Sequence, residues 1–397
     1  MLLEPTLLAP GDEAGVIDAV RNAAAEGAPL LVEGRGTKSG MLRPVQAART
    51  LSTRNLTGIT LYAPHELIVS ARAGTTVPDL EAVLAEKGQW LLSEPPDLSG
   101  LLGEGVASIG GIVATNLSGP RRVAWGATRD HVMGLRFVNG AGELIRAGGR
   151  VLKNVTGLDM CKLLSGSHGT LGIITEVTLK VLPAAELTGS LMLSGLDAVR
   201  GVAALSAALG SPFGVSGAAW LPAEAAERVL PGQGAVALIR IEDFAPSVAY
   251  RLGRLQTDLT AYGSGQILDD AASRAAWRAI RDAVPLRAEA GDAVWRLSVR
   301  PSAGPAAVAA IEDAGARCFL DWGGGLVWVA GSPGLHDAVC AAAGRGTWTV
   351  LRAPEPLRAA CHVIPPEVAA LAAITRRVKA AMDPRGVLNP GRLYAGM

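Results

Sequence analysis

Three glycine-dense stretches are the residues best suited to bind and orient a charged ligand in this chain of 397 residues and 49 glycines. They are Gly34-Arg35-Gly36-Thr37-Lys38-Ser39-Gly40, Ser108-Ile109-Gly110-Gly111 running on to Gly119, and Gly166 to Gly172. Glycine lets backbone N–H groups close on phosphate oxygens with no Cβ in the way. Taken alone, the first stretch reads equally as a ligand cradle or a structural turn. Gly34-x-Gly36 lacks the third glycine of a Rossmann fingerprint, and residues 41–54 hold Pro44 and no helical pattern. No Gly-Lys-[Ser/Thr] stands at Walker A spacing. Three such stretches in one segment, each beside a predicted strand, point to one long polyanion such as a dinucleotide, with chance clustering of glycines as the alternative.

Arg296 and Arg300 form a second candidate group. They lie along a predicted strand where alternation puts both on one face, so they could clamp a carboxylate bidentately. The same pair would serve equally as a solvated face or as an interface with another subunit. The four cysteines (Cys161, Cys318, Cys340, Cys361) are widely spaced with no CxxC, which argues against a disulfide framework, a zinc site or an iron–sulfur cluster. His336 and His362 are isolated and read as packing or surface residues. No convincing general base stands out, and His131 and His168 receive no catalytic role.

The elements that must carry these groups alternate. Apolar Val16, Ile17, Val20 and Ala24 have helical spacing, Gly27 stops that helix, and residues 29–32 follow as a short buried strand. A strand at 67–72, a helix at 77–87, a hairpin turning at Asn139-Gly140-Ala141-Gly142 and an alternating strand at 173–182 complete a mixed first half. Beyond Pro183 the glycine-rich turns thin out. Strand–helix units follow at 235–259, 265–283 and 294–314, and a hairpin closes around Gly323-Gly324-Gly325. The expected architecture is α+β: a first domain at 1–185, a second of antiparallel sheet covered by helices at 186–345, and a segment at 346–397 returning to the first.

Composition excludes several classes. Lys+Arg is 37 against Asp+Glu 36, so nothing in the charge balance suits sequence-independent nucleic-acid binding. No run of eighteen apolar residues predicts direct membrane insertion, and Met1 to Pro10 carries Glu4 and Pro5 where a signal peptide would be basic and then apolar. The expectation is a cytoplasmic protein, peripheral at the inner membrane at most and then through a partner.

The residues together resemble a known family. The Arg35-Gly36-Thr37 loop, the Ser108-Ile109-Gly110-Gly111 turn, Gly126-Ala127-Thr128-Arg129-Asp130, Lys153-Asn154-Val155-Thr156-Gly157-x-Asp159, Gly166 to Thr175 and Asp383-Pro384-x-Gly386-Val387-Leu388-Asn389-Pro390-Gly391 occur in order. They are similar to the FAD-linked oxidases of the vanillyl-alcohol-oxidase type, with a PCMH-type FAD-binding domain of two α/β subdomains. Asn116-Leu117-Ser118-Gly119-Pro120-Arg121-Arg122 and Asp321-Trp322-Gly323-Gly324 narrow the resemblance to the smaller flavin-binding E subunit of bacterial glycolate oxidase.

That resemblance implies sites and partners. Gly34, Arg35, Gly36, Thr37 and Lys38 would hold the FAD pyrophosphate, and Ser108, Ile109, Gly110 and Gly111 would continue the cradle. Asn116, Ser118 and Gly119 would approach the flavin ring, with turn capping as the other reading of Asn116 and Ser118. Ile173 and Ile174 would lie beside the adenine–ribose half, and Asn389 would return to the flavin side. No histidine stands in the first or second loop, so FAD would be non-covalent. The His-Gly-Asp-Gly-Asn-x-x-His stretch of the larger relatives is absent. The implied activity is oxidation of a small 2-hydroxy acid, glycolate, in a complex with a larger FAD-binding subunit and an iron–sulfur subunit. The alternatives are a self-sufficient 2-hydroxy-acid dehydrogenase of the lactate type, and a structural subunit with an inert flavin.

Overall fold

The computed structural model describes residues 6–149 and 158–397, so Lys153 to Gly157 of the resemblance lie outside the described residues. The chain divides into two compact units: residues 1–117, 127–184 and 358–397, and residues 118–126 with 185–357.

The first unit starts from a three-stranded sheet. Strands β1 (Thr6–Leu8), β2 (Leu30–Glu33) and β3 (Arg49–Ser52) pair in parallel in the order β1-β3-β2. The helix Glu13–Glu26 begins where the Asp12 carboxylate accepts the Gly15 N–H at 2.8 Å, and it ends at Gly27, whose φ of 65° only glycine adopts cheaply. Its Val16, Val20 and Ala23 are fully buried in one cluster with Leu30, Leu51, Val387 and Leu388. The C-terminal segment is thus part of this core. Leu30 N–H donates to Val387 O at 2.8 Å and Asn389 N–H to Leu30 O at 3.1 Å, so the open edge of β2 is covered.

A six-stranded antiparallel sheet completes this unit. Strands β4 (Ile59–Ala63), β5 (Ile68–Arg72), β6 (Gln89–Leu91), β7 (Val132–Val138), β8 (Leu144–Gly148) and β9 (Ile173–Pro183) run in the order β4-β5-β9-β7-β8, with β6 also on β9. The 139–142 hairpin forms as its sequence predicts, with Asn139 Oδ1 accepting the N–H groups of Ala141 and Glu143. One expectation changes. The second glycine-rich stretch is not a turn but a short helix, Ile109–Thr115, capped by the Ser108 hydroxyl.

The second unit is built on eight antiparallel strands: β10 (Leu187–Ser194), β11 (Gly217–Leu221), β12 (Val236–Asp243), β13 (Gln266–Leu268), β14 (Ala293–Ser298), β15 (Arg317–Asp321), β16 (Leu326–Gly331) and β17 (Thr347–Arg352). Their order is β13-β10-β12-β11-β15-β16-β14-β17, with the helices Ala198–Leu209, Ala245–Asp258, Asp270–Arg281 and Gly304–Asp313 between strands in the chain.

Two boundaries differ from the sequence expectation. β17 pairs with β14 along its length, so residues 346–357 stay with this sheet and the return to the first unit starts at Arg358. Residues 118–126 also belong here. Arg121 makes a bidentate bond to Glu242 of β12 at 2.8 and 2.9 Å, and Arg240 supplies a second guanidinium to the same carboxylate. These two cations hold the buried Glu242 carboxyl down at about 2, against the upward push of its burial.

Candidate functional site

The chain closes three separate segments of the first unit around one cavity. The end of β2 and the loop after it supply Val32 to Ser39, the Ile109–Thr115 helix with its cap supplies Ser108, Gly110, Gly111 and Thr115, and residues 168–174 supply the third wall. Asn389 and Arg392 reach it from the C-terminal segment, and Thr53 from the residue after β3. The predicted residues Gly34, Arg35, Gly36, Thr37, Lys38, Ser108, Gly110, Gly111, Ile173, Ile174 and Asn389 all line it.

Backbone approach explains the glycines. A Cβ on Gly34 would stand 2.4 Å from Ser108 Oγ, and one on Gly110 would stand 2.6 Å from Ala73 Cβ and 2.8 Å from its carbonyl oxygen. The helix therefore packs against Ala73 with no room for a side chain. Ser52 Oγ donates to Gly34 O at 2.5 Å and fixes the start of the loop from the neighbouring strand.

The charge in the cavity wall is mostly positive, with Glu33 against Arg35, Lys38 and Arg392. Lys38 is half-buried with its ammonium 3.2 Å from Thr37 Oγ1, and desolvation, against the pull of Asp97, pushes its pKa down to about 8. Arg392, 7% exposed, is lowered to about 10, first by burial and then by Arg358. His168, held at φ 53°, falls to about 3 because of burial and the charges of Arg392 and Lys38, so its ring stays neutral at working pH. Glu33 is the acidic member, raised by burial and paired with Arg54 at 3.3 Å. Buried cations with depressed pKa values store an unfavourable energy that a polyanion would relieve. Glycine-lined walls and cations together fit the diphosphate and adenosine half of FAD.

Four predicted residues lie elsewhere. Ile109 is 1% exposed in the core side of its helix. Asn116 caps that helix in the left-handed region, φ 50°, and its Oδ1 accepts the Arg129 N–H at 3.0 Å, which is the capping alternative. Ser118 and Gly119 fold with the second unit. There the Gly119 carbonyl accepts the Trp322 indole N–H at 3.1 Å. Sequence reasoning passed over Glu33, Thr53, His168 and Arg392 as wall residues. The Gly166–Gly172 stretch signalled His168, whereas nothing local marks Arg392.

The two candidate arginines separate. β14 ends at Ser298, so Arg300 is exposed beyond the strand, caps the turn at Pro301 and shares no strand face with Arg296. Arg296 sits on β14, with its guanidinium carbon 5.0 Å from the Trp328 ring centroid and 5.2 Å from that of Trp322. Arg122 stacks on the same Trp322 at 4.5 Å. Burial and the Arg122 charge lower Arg296 to about 10. Its Nε is buried without a hydrogen-bond partner among the described residues.

The FAD binding domain family matches residues 5–148. The chain is 33% identical to glycolate oxidase subunit GlcE of Escherichia coli (strain K12) over 395 residues, 96% of this chain and 97% of that one. It belongs to the family of this glycolate oxidase subunit, whose first part here is the FAD binding domain. It is a FAD-dependent oxidoreductase. A D-lactate dehydrogenase of Anaerostipes hadrus is 38% identical over 143 residues, 36% of this chain and 29% of that one. In fold, 4-ethylphenol oxidase from Gulosibacter chungangensis matches with a TM-score of 0.72 at 12% identity, over 98% of this chain and 89% of that one. Among the described residues, no helix is long and apolar enough to cross a membrane.

Proposed function

We propose that this chain is the FAD-binding subunit of an assembly that oxidises a small 2-hydroxy acid, glycolate in the first instance, and passes the electrons through FAD to an iron–sulfur partner beside a larger FAD-binding subunit. FAD would lie non-covalently along the glycine-lined cavity, its diphosphate near Gly34 to Lys38 and Ser108 to Gly111, and its adenosine half by Ile173 and Ile174. When bound, FAD supplies the two-electron acceptor for the hydride of the alcohol carbon. Arg296 would hold the substrate carboxylate.

The observation that carries the acid as substrate is Arg296 itself. A guanidinium flanked by two tryptophans, with a second guanidinium on one of them, the Asp321 charge acting on it and its Nε without a hydrogen-bond partner among the described residues, is arranged to receive an anion. The near-full-length likeness to a protein named as a glycolate oxidase subunit supports the assembly. The local likeness to a D-lactate dehydrogenase supports the second reading, a dehydrogenase that acts alone.

The visible spectrum of the purified chain, before and after anaerobic addition of glycolate or D-lactate, tests this. On the subunit reading the flavin is bleached by glycolate when the partner chains are present. Bleaching of the isolated chain by D-lactate in preference to glycolate would favour the lone dehydrogenase. A flavin left yellow by both acids in the full assembly would sink oxidation at this flavin.

Lys38 makes FAD affinity pH-dependent. In the FAD-free protein its pKa is about 8, and a diphosphate beside it would draw the proton back. Binding then takes up a proton above pH 8. Affinity is expected to be flat below pH 8 and to fall as pH rises through it, by up to about tenfold per unit. Flavin fluorescence titrations at pH 7, 8 and 9 read the slope, and Lys38→Met should flatten it.

A further inference from the structure

A residue that ties down the cavity's first loop lies 349 to 354 positions away in sequence from the residues it holds. Arg392 is buried, and its guanidinium donates to three backbone carbonyls of one loop: Nη1 to Ser39 O and Arg43 O, both at 3.2 Å, and Nη2 to Lys38 O at 2.9 Å. Arg43 N–H returns a bond to Arg392 O at 3.2 Å. Residues 34–48 form no helix or strand, and the loop's internal backbone bonds are two short turns, Ser39 to Gly36 and Met41 to Lys38; Ser52 ties its start, while Arg358 Nη1 donates to Leu42 O at 3.1 Å and the Met41 and Leu42 side chains are buried. A planar guanidinium can serve three carbonyls at once in a fixed fork, whereas an ammonium on a flexible stem cannot set them in one plane.

The contacts of the same segment continue around the cavity. Asn389 Nδ2 donates to Val32 O at 3.0 Å and to His168 O at 2.8 Å, while its Oδ1 accepts the Val32 N–H at 2.7 Å. One side chain therefore joins two cavity walls, and Arg392, three residues on, joins a third stretch to them.

We propose that Arg392 is a positioning residue for the cofactor: beyond its place in the cavity wall, it sets the Lys38–Arg43 backbone in the shape that FAD requires. This rests on the reading that FAD occupies the glycine-lined cavity. Turning three carbonyls toward Arg392 keeps carbonyl oxygens out of the cavity, where they would repel a diphosphate, and leaves its wall to N–H groups and the Lys38 ammonium. Without the fork, the loop must be ordered at the moment FAD binds, and affinity bears that entropy.

The test uses the full chain freed of flavin, with Arg392→Ala and Arg392→Lys beside the unaltered protein, titrated with FAD and followed by amide hydrogen exchange. Both variants are expected to weaken FAD binding by at least on the order of tenfold. Extra exchange in the FAD-free state should be confined to residues 36–43, and saturating FAD should restore both the flavin spectrum and the protection. Arg392→Lys is the deciding variant, because it keeps the charge and loses the fork; it also serves should the alanine variant not fold.

Lysine binding FAD as tightly as arginine would overturn the inference, since charge alone would then suffice. Exchange rising evenly across the first unit, with affinity falling only in step with melting temperature, would overturn it in favour of a purely structural role. If FAD fails to protect the amides of residues 34–39 and 110–111 in the unaltered protein, the cavity reading itself falls and the positioning role with it.

Discussion

Arg296→Met is expected to leave FAD content and the flavin spectrum unchanged while lowering kcat/KM for the hydroxy acid by roughly a hundredfold, about 3 kcal/mol of lost transition-state binding. Methionine keeps the apolar volume between Trp322 and Trp328, where the guanidinium stands 5.2 and 5.0 Å from the two ring centroids. Stability should hold or rise, because a half-buried charge whose Nε has no hydrogen-bond partner among the described residues is exchanged for an apolar side chain of similar length. Arg300→Met is the control. Arg300 is exposed beyond the end of β14, and its loss should keep kcat/KM within about twofold. Steady-state rates on the complete assembly, with flavin content measured on the same samples, decide the matter. Unchanged kcat/KM in Arg296→Met would remove Arg296 from the substrate site.

Asp383→Ala has the largest expected effect on stability. Lys379 Nζ lies 2.6 Å from Asp383 Oδ2, and the Asp383 side chain is fully buried. The carboxylate also accepts the N–H groups of Val387 and Leu388, at 3.1 and 2.8 Å, and so shapes the turn into the core strand bridge at Leu388. The ammonium donates to Thr170 O and Leu388 O, both at 2.8 Å. Removing the acid leaves a buried cation and two orphaned amides, a cost of about 3–5 kcal/mol. The first unit should melt about 10 °C lower by calorimetry at that cost. Burial already lowers the Lys379 pKa, so raising the pH should recover part of the loss by letting the amine discharge. A melting point within 2 °C of the unaltered protein, a bound set for this test by the same scaling, would contradict the assignment.

Much of the first unit is legible in the residues because its signals are local. Asp12, the Val16–Val20 spacing and Gly27 bound the first helix, and Asn139 with Gly142 marks a hairpin, since caps and turns are decided by residues within a few positions. The stretch Ser108 to Thr115 misled. Its Gly110-Gly111 pair reads as a turn by propensity, yet it is helical, because Gly110 packs against Ala73 where any side chain would clash. Arg300 misled for a related reason: alternation predicts a shared face only while the strand continues, and β14 stops two residues earlier.

What the sequence by itself determined is the chemistry of the ligand and the family. Glycines in three ordered stretches and a basic first loop point to a long polyanion, and with the closing Asp383 to Gly391 motif they carry the resemblance to a FAD-linked oxidase without a contact map. What only the tertiary structure decided is which distant residues complete each site. Arg392 against the Lys38–Arg43 loop, Asn389 between Val32 and His168, Arg121 on Glu242, and Arg296 between Trp322 and Trp328 are all pairings across long sequence separations. Buried polar groups must find partners wherever the chain's packing brings them, and no local pattern encodes that address.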